Sequence, residues 1–395
     1  MKHSMLAAIA ESAQSPLAIR HIDRPVPGKG QVLVKVHAAG VNPLDTKIAA
    51  GAGAHARQTL PAVLGLDLAG TVVETGEAVE GFIPGQEVFG MPGGIGGAQG
   101  TMAEYIAVDA RLIAVKPHTL SMREAAALPL VFITAWEGLV DHANVRSGQR
   151  VLIHGGAGGV GQVAVQLAKA RGADVYATGS AGSLDFIRSL GATAIDYQAQ
   201  SVEDYVEHYT AGEGFDIVYD TVGGSTLDAS FKAVKAYTGH VLSCLGWGQH
   251  SLAPLSFKSA TYSGIFTLAP LLTGKGRDHH GAILREAAAL ANAGQLTIRV
   301  DQQHFAPQDV NEAFRQVAEG RGKGKTVIEF VAAWFLVISL ERTRPKACAM
   351  VRNVLAAILP AKSVKHVAPH ELNGPTFAHS IVTTQELIEA LAVQE

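Results

Sequence analysis

Cysteine is scarce in this sequence, since only Cys244 and Cys348 occur among 395 residues. Two cysteines cannot build a disulfide framework or a four-cysteine zinc lobe. A dominant charge is lacking too, because 32 lysine and arginine residues stand against 35 aspartate and glutamate residues, for a net charge of -3. A chain this close to neutral gives no support for nucleic acid as the main partner.

Long apolar runs are also missing. The longest apolar run, residues 330–340, is about half of what a bilayer requires, so no membrane span is expected. The N-terminus enters a strand-like pattern and lacks the apolar core of a signal peptide. We therefore expect a cytoplasmic protein.

Glycine and apolar residues are abundant instead, with 43 glycines and a hydrophobic content of 48%. This composition favours a compact α/β enzyme with many tight turns over a disordered or fibrous chain. The length allows two domains with sizeable cores.

The strongest motif lies at residues 151–161, where an apolar strand runs into a series of glycines. An amphipathic helix follows and then, at residues 173–179, a second strand. Within this strand–loop–helix–strand unit, Gly156, Gly158 and Gly161 fit G-x-G-x-x-G. The first glycine permits a tight turn, the second lets the backbone approach a pyrophosphate, and the third lets helix and strand pack closely.

The N–H groups at the start of that helix, around Gly159 and Val160, are expected to bind phosphate. A lone glycine pattern of this kind also occurs in ordinary turns, but its context here predicts a dinucleotide site.

The rest of the chain has two regions with different patterns of predicted secondary structure. Residues 1–127 are mainly β with glycine and proline turns, whereas residues 151–246 alternate strand and helix, which implies a doubly wound parallel sheet. The predicted strands include residues 31–37, 63–75, 87–91, 215–221, 240–246 and 262–268, and the predicted helices include 123–144, 226–236 and 283–292.

The tail from residue 331 carries no readable motif. We interpret its histidines as solvated side chains rather than metal ligands (His366, His370 and His379), and we predict a helix at residues 384–393.

Four motifs occur in one order: Asn-Pro-Leu-Asp-Thr-Lys at 42–47, Gly-Leu-Asp-Leu-Ala-Gly at 65–70, the glycine fingerprint, and Asp-Thr-Val-Gly-Gly at 220–224. Together they resemble the medium-chain dehydrogenase/reductase superfamily, and within it the zinc-independent NADPH:quinone oxidoreductase (zeta-crystallin-like) group. The resemblance covers residues 1–330.

The resemblance implies an α/β fold with two domains. A GroES-like, mainly-β substrate domain would comprise residues 1–127 and 265–330, around a Rossmann NADP-binding domain of residues 128–264 with a doubly wound parallel sheet. Residues 331–395 would be a C-terminal extension of unknown role.

No metal is expected. The zinc-dependent branch of the superfamily has a cysteine ligand where Asn42 stands and Gly-His-Glu where Gly65, Leu66 and Asp67 stand. Leu66 cannot ligate a metal and the thiolate is absent. We therefore expect no zinc that polarises the acceptor carbonyl.

Catalysis without a metal would rest on positioning and on hydrogen-bond donors near the acceptor oxygen. Asn42 and Lys47 are the catalytic candidates, and Lys47 matches a lysine of members that resemble enone and alkenal reductases. The alternatives are a turn residue before proline for Asn42 and a solvated surface lysine for Lys47. Asp45 is expected to orient the loop, and His55 is a further candidate acid.

The cofactor is predicted to be NADP(H). Residues 176–180 offer no acid for the ribose 2′-hydroxyl of NAD, whereas Ser180 leaves room for a 2′-phosphate and Tyr197 matches a position that contacts it. Ser183 stands where the group usually has a lysine. The resemblance also places Thr134, Val222 and Gly246 beside the cofactor.

We therefore predict an NADPH-dependent, zinc-free reductase that transfers hydride to a quinone or an α,β-unsaturated carbonyl compound. An enoyl-thioester reductase and a non-catalytic NADPH-binding protein remain alternatives. The expected partner is a small-molecule electron acceptor, and the resemblance implies a homodimer that pairs through the edge strand at 262–268.

Overall fold

The computed structural model describes residues 4–330 of the chain. The predicted tail helix and the three tail histidines lie outside this part. The elements are the strands β1 (Ser4–Ala10), β2 (Ala18–Asp23), β3 (Gln31–Gly40), β4 (Ala62–Val63), β5 (Asp67–Thr75), β6 (Glu87–Gly90), β7 (Tyr105–Asp109), β8 (Ile113–Val115), β9 (Arg150–His154), β10 (Asp174–Gly179), β11 (Thr193–Asp196), β12 (Ile217–Asp220), β13 (His240–Ser243), β14 (Thr261–Gly264) and β15 (Val327–Glu329).

The α-helices are α1 (Pro43–Ala49), α2 (Met122–Ala127), α3 (Pro129–Trp136), α4 (Gly159–Ala170), α5 (Leu184–Ser189), α6 (Val202–Thr210), α7 (Ser225–Ala233), α8 (Ala253–Phe257), α9 (Ala269–Thr273), α10 (Arg277–Asn292) and α11 (Val310–Ala318).

An antiparallel sheet forms the first lobe of the structure. Its strand order is β15-β3-β5-β6-β8, β7 also pairs with β3, and a smaller sheet β2-β1-β4 lies beside it. The central strand β3 alternates Val32, Val34 and Val36, which are all buried, but Leu33 on its other face is buried as well. The strand therefore has apolar neighbours on both faces, as an interior strand requires.

A six-stranded parallel sheet forms the second lobe, in the order β11-β10-β9-β12-β13-β14. The chain starts at β9, runs to one edge through β10 and β11, and returns to β12 on the other side of β9. Ligands of such sheets bind at the carboxyl ends of the strands where the order reverses, which is here between β9 and β12. The expected α/β fold, an antiparallel GroES-like lobe with a Rossmann lobe, is confirmed.

Helix α4 joins the two lobes. Val163 and Leu167 are fully buried, and the helix contacts β9 and β10 of the parallel sheet. On another side, the Gln162 side chain accepts a hydrogen bond from the Arg299 N–H at 2.8 Å, and Gln166 accepts one from the Thr297 N–H at 2.9 Å. The two amides therefore bind the backbone of the segment at residues 297–299 to this helix.

Three predicted elements differ from the observed ones. The strand expected at 63–75 is interrupted at Gly65, whose φ of +104° breaks the extended backbone between β4 and β5. The helix expected at 123–144 is divided before Pro129, and ends in a π-helical turn at Glu137–His142. The strand expected at 262–268 ends at Gly264, because the chain turns there into α9, which has a proline in its first turn.

None of the helices within residues 4–330 is both long enough and apolar enough to cross a membrane.

Candidate active site

A cavity of about 1150 Å³ opens between the two lobes. Its walls come from the turn after β9, from the loops after β12, β13 and β14, from α1, and from the segment that leads into β15. A space of this size exceeds that of an ordinary small-molecule site, so it has room for a dinucleotide together with a second small molecule.

The glycine turn after β9 forms one wall of the cavity. The left-handed conformation falls on Gly155, with φ +71°, and not on Gly156, which we had expected to permit the tight turn. A Cβ on Gly156 would lie 2.6 Å from Ala177 Cβ, and one on Gly161 would lie 2.0 Å from the Gly155 carbonyl oxygen. These two glycines therefore serve close packing of strand and helix.

Gly158 is the exposed glycine of the turn and the residue that precedes α4. A Cβ there would meet only the Gly155 oxygen, at 3.2 Å, and Gly158, Gly159 and Val160 all line the cavity. The first turn of a helix leaves its N–H groups without partners inside the helix. The geometry fits a phosphate group held by backbone N–H groups at a helix N-terminus.

The cavity wall near the end of β10 is neutral. Ser180, Ser183, Tyr197 and Gln200 line it, Tyr197 is 57% exposed, and the Ser183 hydroxyl donates to the Ser180 carbonyl at 2.8 Å. No carboxylate that would favour a free 2′-hydroxyl stands among these residues, and no cation that would clamp a 2′-phosphate stands there either.

Val222 also lines the cavity and is 52% exposed, whereas Gly246 is not among the residues that line it. A Cβ on Gly246 would lie 2.3 Å from the Tyr262 hydroxyl. Its neighbours Leu245 and Trp247 reach the cavity in its place.

Asn42 lies immediately before α1 and is 1% exposed. Its backbone N–H donates to Asp45 Oδ2 at 2.8 Å, and its side-chain Nδ2 donates to Asp67 Oδ2 at 2.9 Å. The Lys325 ammonium donates to Asn42 Oδ1. The amide of Asn42 is thus engaged by protein groups at both ends, which leaves one amide hydrogen for any other partner.

The groups around Asn42 form a buried charged cluster of Asp45, Asp67 and Lys325, which no local motif predicts. Burial, together with the neighbouring Asp67, raises the pKa of Asp45 to about 7, although the Asn42 N–H and Lys325 oppose the change. Burial likewise raises the pKa of Asp67 to about 6, although Lys325 opposes this, and burial lowers the pKa of Lys325. One cation thus faces two carboxyl groups, and a proton on Asp45 makes the cluster neutral.

This cluster contacts helix α3 and also reaches the cavity wall. Asp67 Oδ1 accepts a hydrogen bond from the Leu130 N–H in the first turn of α3 at 2.9 Å. Lys325 itself lines the cavity, and its Cδ would lie 3.4 Å from a Cβ on Gly159. The aliphatic part of this side chain therefore packs beside the glycine turn, while its ammonium is held by Asn42.

Lys47 lies in α1, is exposed, and lines the cavity. Its ammonium forms no hydrogen bond or ion pair with any group in the described part of the chain. An ammonium without a protein partner is free to meet the oxygen of a bound molecule.

Thr134 is 5% exposed and lines the cavity from α3. Its hydroxyl donates to the Leu130 carbonyl at 2.7 Å and accepts from the Thr267 hydroxyl at 3.2 Å. Thr267 also contacts Glu137 Oε2 at 2.9 Å, and the buried His280 contacts Glu137 Oε1 at 3.2 Å. A chain of polar groups therefore fixes both threonine hydroxyls at the cavity wall.

His154, at the end of β9, is a buried cavity-lining residue whose Nε2 has no hydrogen-bond partner within residues 4–330. Its Nδ1 lies 3.2 Å from the Thr178 hydroxyl. Burial lowers the pKa of this histidine to about 4, so the imidazole is neutral at pH 7.

The positions that correspond to zinc ligands hold no metal-binding set. Leu66 is fully buried among apolar residues, and the Asn42 amide is engaged as described above. Within residues 4–330 no group of three or more histidine, cysteine or acidic side chains is arranged to hold a metal ion.

The relatives of the chain agree with this architecture. Residues 28–118 match the alcohol dehydrogenase GroES-like domain, and residues 190–328 match a family described as zinc-binding dehydrogenase. The crystal structure of an alcohol dehydrogenase superfamily protein from Novosphingobium aromaticivorans is 55% identical to this chain, with a TM-score of 0.81 over 83% of this chain and 100% of that one. The 2-methylene-furan-3-one reductase of Solanum lycopersicum is 38% identical over 306 residues, which are 75% of this chain and 71% of that protein.

This chain belongs to the medium-chain dehydrogenase/reductase superfamily. The structure of the quinone oxidoreductase from Coxiella burnetii is 29% identical, with a TM-score of 0.72 over 83% of this chain and 100% of that one. The resemblance to the zinc-independent quinone oxidoreductase group is thereby confirmed. As a member of this superfamily the protein is an oxidoreductase with a site for a nicotinamide cofactor.

One further relative is much longer than this chain. The spectinabilin polyketide synthase system protein NorB of Streptomyces orinoci is 35% identical over 305 residues, and this chain spans 13% of its length. A medium-chain dehydrogenase/reductase can therefore also be one part of a large synthase.

Proposed function

We propose that this protein is an NADPH-dependent oxidoreductase that works without zinc and transfers hydride to quinones or α,β-unsaturated carbonyl compounds. The observation that carries the proposal is the cavity itself. The glycine turn before α4 and the unpartnered ammonium of Lys47 lie on the walls of one space, and no metal-ligand set occurs within residues 4–330.

The glycine turn supplies the groups that would hold the cofactor phosphates. The N–H groups at the start of α4 would bind the phosphates at this wall, and the aliphatic part of Lys325 packs beside the turn. When bound, the nicotinamide supplies a hydride to an electron-poor carbon of the acceptor.

Lys47 supplies the charge that stabilises the acceptor oxygen. Hydride addition to the β-carbon of an enone places negative charge on the carbonyl oxygen. A positioned ammonium interacts more strongly with that anion than with the neutral ketone. Asn42 acts mainly through its partners, because its amide holds Asp67 and Lys325 in place. We assign Lys47 as the catalytic residue and Asn42 as a positioning residue.

The preference for NADPH rests on the absence of an acidic residue near Ser180 and Tyr197. A carboxylate at the end of the second strand of such sheets binds the ribose 2′-hydroxyl of NAD and repels a 2′-phosphate. Since no cation lines this wall either, we expect the preference over NADH to be modest.

A panel of acceptors tests the proposal. NADPH and NADH oxidation are measured with 1,2-naphthoquinone, with an aryl enone and with crotonyl thioesters. Turnover of the first two with NADPH supports the proposal. Turnover of the thioesters alone would instead identify an enoyl-thioester reductase, the activity that similarity to a polyketide synthase raises. Cofactor binding without oxidation by any acceptor would identify a non-catalytic NADPH-binding protein.

A further inference from the structure

Three aromatic side chains form a cluster at the cavity, made of His55, Trp247 and Phe266. The His55 and Trp247 ring centroids are 5.0 Å apart, and Phe266 lies 6.5 Å from each of them. The planes of Trp247 and Phe266 are nearly perpendicular, at 85°. We call these three residues the aromatic cluster.

The aromatic cluster joins the two lobes. His55 lies in a short 3₁₀ helix at Ala54–Ala56, after α1 of the first lobe. Trp247 follows β13 and Phe266 follows β14, both in the parallel sheet. All three residues line the cavity that also contains Lys47 and Thr134.

Much of this aromatic surface is uncovered. Trp247 is 52% exposed and Phe266 is 40% exposed. Large aromatic side chains gain free energy when apolar surface leaves water. Here the surface that remains in water faces a cavity, and the neighbouring walls at Leu44 and Ile265 are apolar as well. A ligand that enters this part of the cavity would cover the rings.

Ring chemistry indicates which ligand gains most from that contact. An indole has an electron-rich face, and aromatic pairs prefer offset-stacked or edge-to-face arrangements at centroid distances of about 4.5–7 Å. Because Trp247 and Phe266 are nearly perpendicular, a flat molecule that stacks on one ring can meet the other edge to face. A quinone fused to an aromatic ring is flat and electron-poor, whereas a flexible acyl chain gains only from apolar contact.

We propose that the aromatic cluster is the acceptor subsite and that it selects planar aromatic acceptors of about the size of a naphthoquinone over acyclic enones. The inference rests on the proposed function, because it assigns the acceptor to the same cavity as the cofactor. It makes Trp247 and Phe266 specificity-determining residues and gives His55 a stacking role instead of the proton-donating role considered from the sequence.

The test compares Trp247→Leu and Phe266→Leu with Phe257→Leu. The control carries the same chemical change at a phenylalanine that is 88% exposed and is not among the cavity-lining residues. The ratio of kcat/KM for 1,2-naphthoquinone to kcat/KM for an acyclic enone is measured for each protein. One aromatic contact is worth about 2- to 10-fold in affinity, so each cavity variant should lower the ratio by about that factor. Trp247→Phe should restore much of it, and Phe257→Leu should leave it unchanged.

Equilibrium dialysis of 1,2-naphthoquinone in the presence of NADP⁺ gives a second readout that needs no turnover. The wild-type protein should bind the quinone more tightly than Trp247→Leu by the same factor. Equal losses on both acceptors, or an unchanged ratio with unchanged quinone binding, would overturn the subsite. If none of the acceptors supports NADPH oxidation by the wild-type protein, the proposed function fails instead. The dialysis result alone then decides whether the rings bind aromatic molecules.

Discussion

Replacing Asp45 by asparagine should change how the stability of the protein depends on pH. Asp45 is fully buried, its Oδ2 accepts the Asn42 N–H at 2.8 Å, and its Oδ1 has no hydrogen-bond partner within residues 4–330. An asparagine keeps the acceptor for Asn42 and removes the titratable group. The unpartnered amide that it introduces has a cost of about 1–3 kcal/mol, which is the same at every pH.

The pKa of Asp45 sets the size of the effect. It is about 7 in the folded protein against an ordinary value of 3.8, so the folded state binds more protons than the unfolded state between these values. The stability that the proton confers is therefore fully present below about pH 4 and is lost as the pH rises through about 7. Between pH 5 and pH 8 this loss amounts to about 2.5 kcal/mol for one carboxyl group.

Urea unfolding of the wild-type protein and of Asp45→Asn, each at pH 5 and pH 8, measures the difference. The free energy of unfolding of the wild type should fall more steeply between the two values than that of the variant, by about 2.5 kcal/mol. The constant cost of the unpartnered amide cancels in this comparison. Equal pH dependence in the two proteins would refute the assignment of a proton to Asp45.

Four further predictions concern the site and the assembly. Lys47→Met should lower kcat and kcat/KM together, more for enones than for quinones, because the lost charge acts mainly in the transition state; wild-type rates on both acceptors would make Lys47 a surface residue. Gly158→Val should weaken NADPH binding by about tenfold or more in a titration while circular dichroism shows an intact fold, since only the Gly155 oxygen lies near the added Cβ. EDTA should leave activity unchanged and metal analysis should find no stoichiometric zinc, so that activity lost to EDTA and restored by zinc would contradict the account. Solution scattering at micromolar concentration should give a dimer mass, because β14 ends the parallel sheet and an uncovered edge strand pairs readily; a monomer mass would exclude this interface.

The parallel half of the fold was predictable because its signals are local. Buried strands such as β9 are short apolar runs, and the glycine turn before α4 was located from residues 155–161, although its left-handed residue is Gly155 and not Gly156. The predicted ends of strands and helices were less accurate where they depend on a contact with a residue far away in the sequence. Gly65 breaks the expected long strand at a point where a Cβ would meet the Thr101 hydroxyl at 2.4 Å, and nothing near Gly65 in the sequence shows that contact.

The candidate site was predictable only in part for the same reason. The cavity does bring together Asn42, Lys47, Thr134 and the exposed end of the glycine turn. The Lys325 ammonium, however, reaches Asn42 from 283 positions away in the chain. No periodicity or spacing records a contact of that kind, and a lysine at the start of a terminal strand has no motif that marks it as buried.

The polar chain behind Thr134 has the same character. Glu137 lies one helical turn from Thr134, but Thr267 and His280 come from loops and helices more than a hundred residues away. A histidine within a polar helix start gives no sign from sequence that it is fully buried. Only the folded structure shows contacts of this kind between segments that are distant in the sequence.

Transfer of a deuterium label tests the central claim most directly. NADPH carrying deuterium at C4 in either of its two stereochemical positions is incubated with the protein and 4-phenyl-3-buten-2-one, and the saturated ketone is analysed by mass spectrometry and NMR. Because a fixed cavity presents one face of the nicotinamide to the acceptor, one labelled form should place a single deuterium on the β-carbon and the other should place none. A ketone without deuterium from either form, or no consumption of NADPH with any acceptor, would contradict hydride transfer in this cavity.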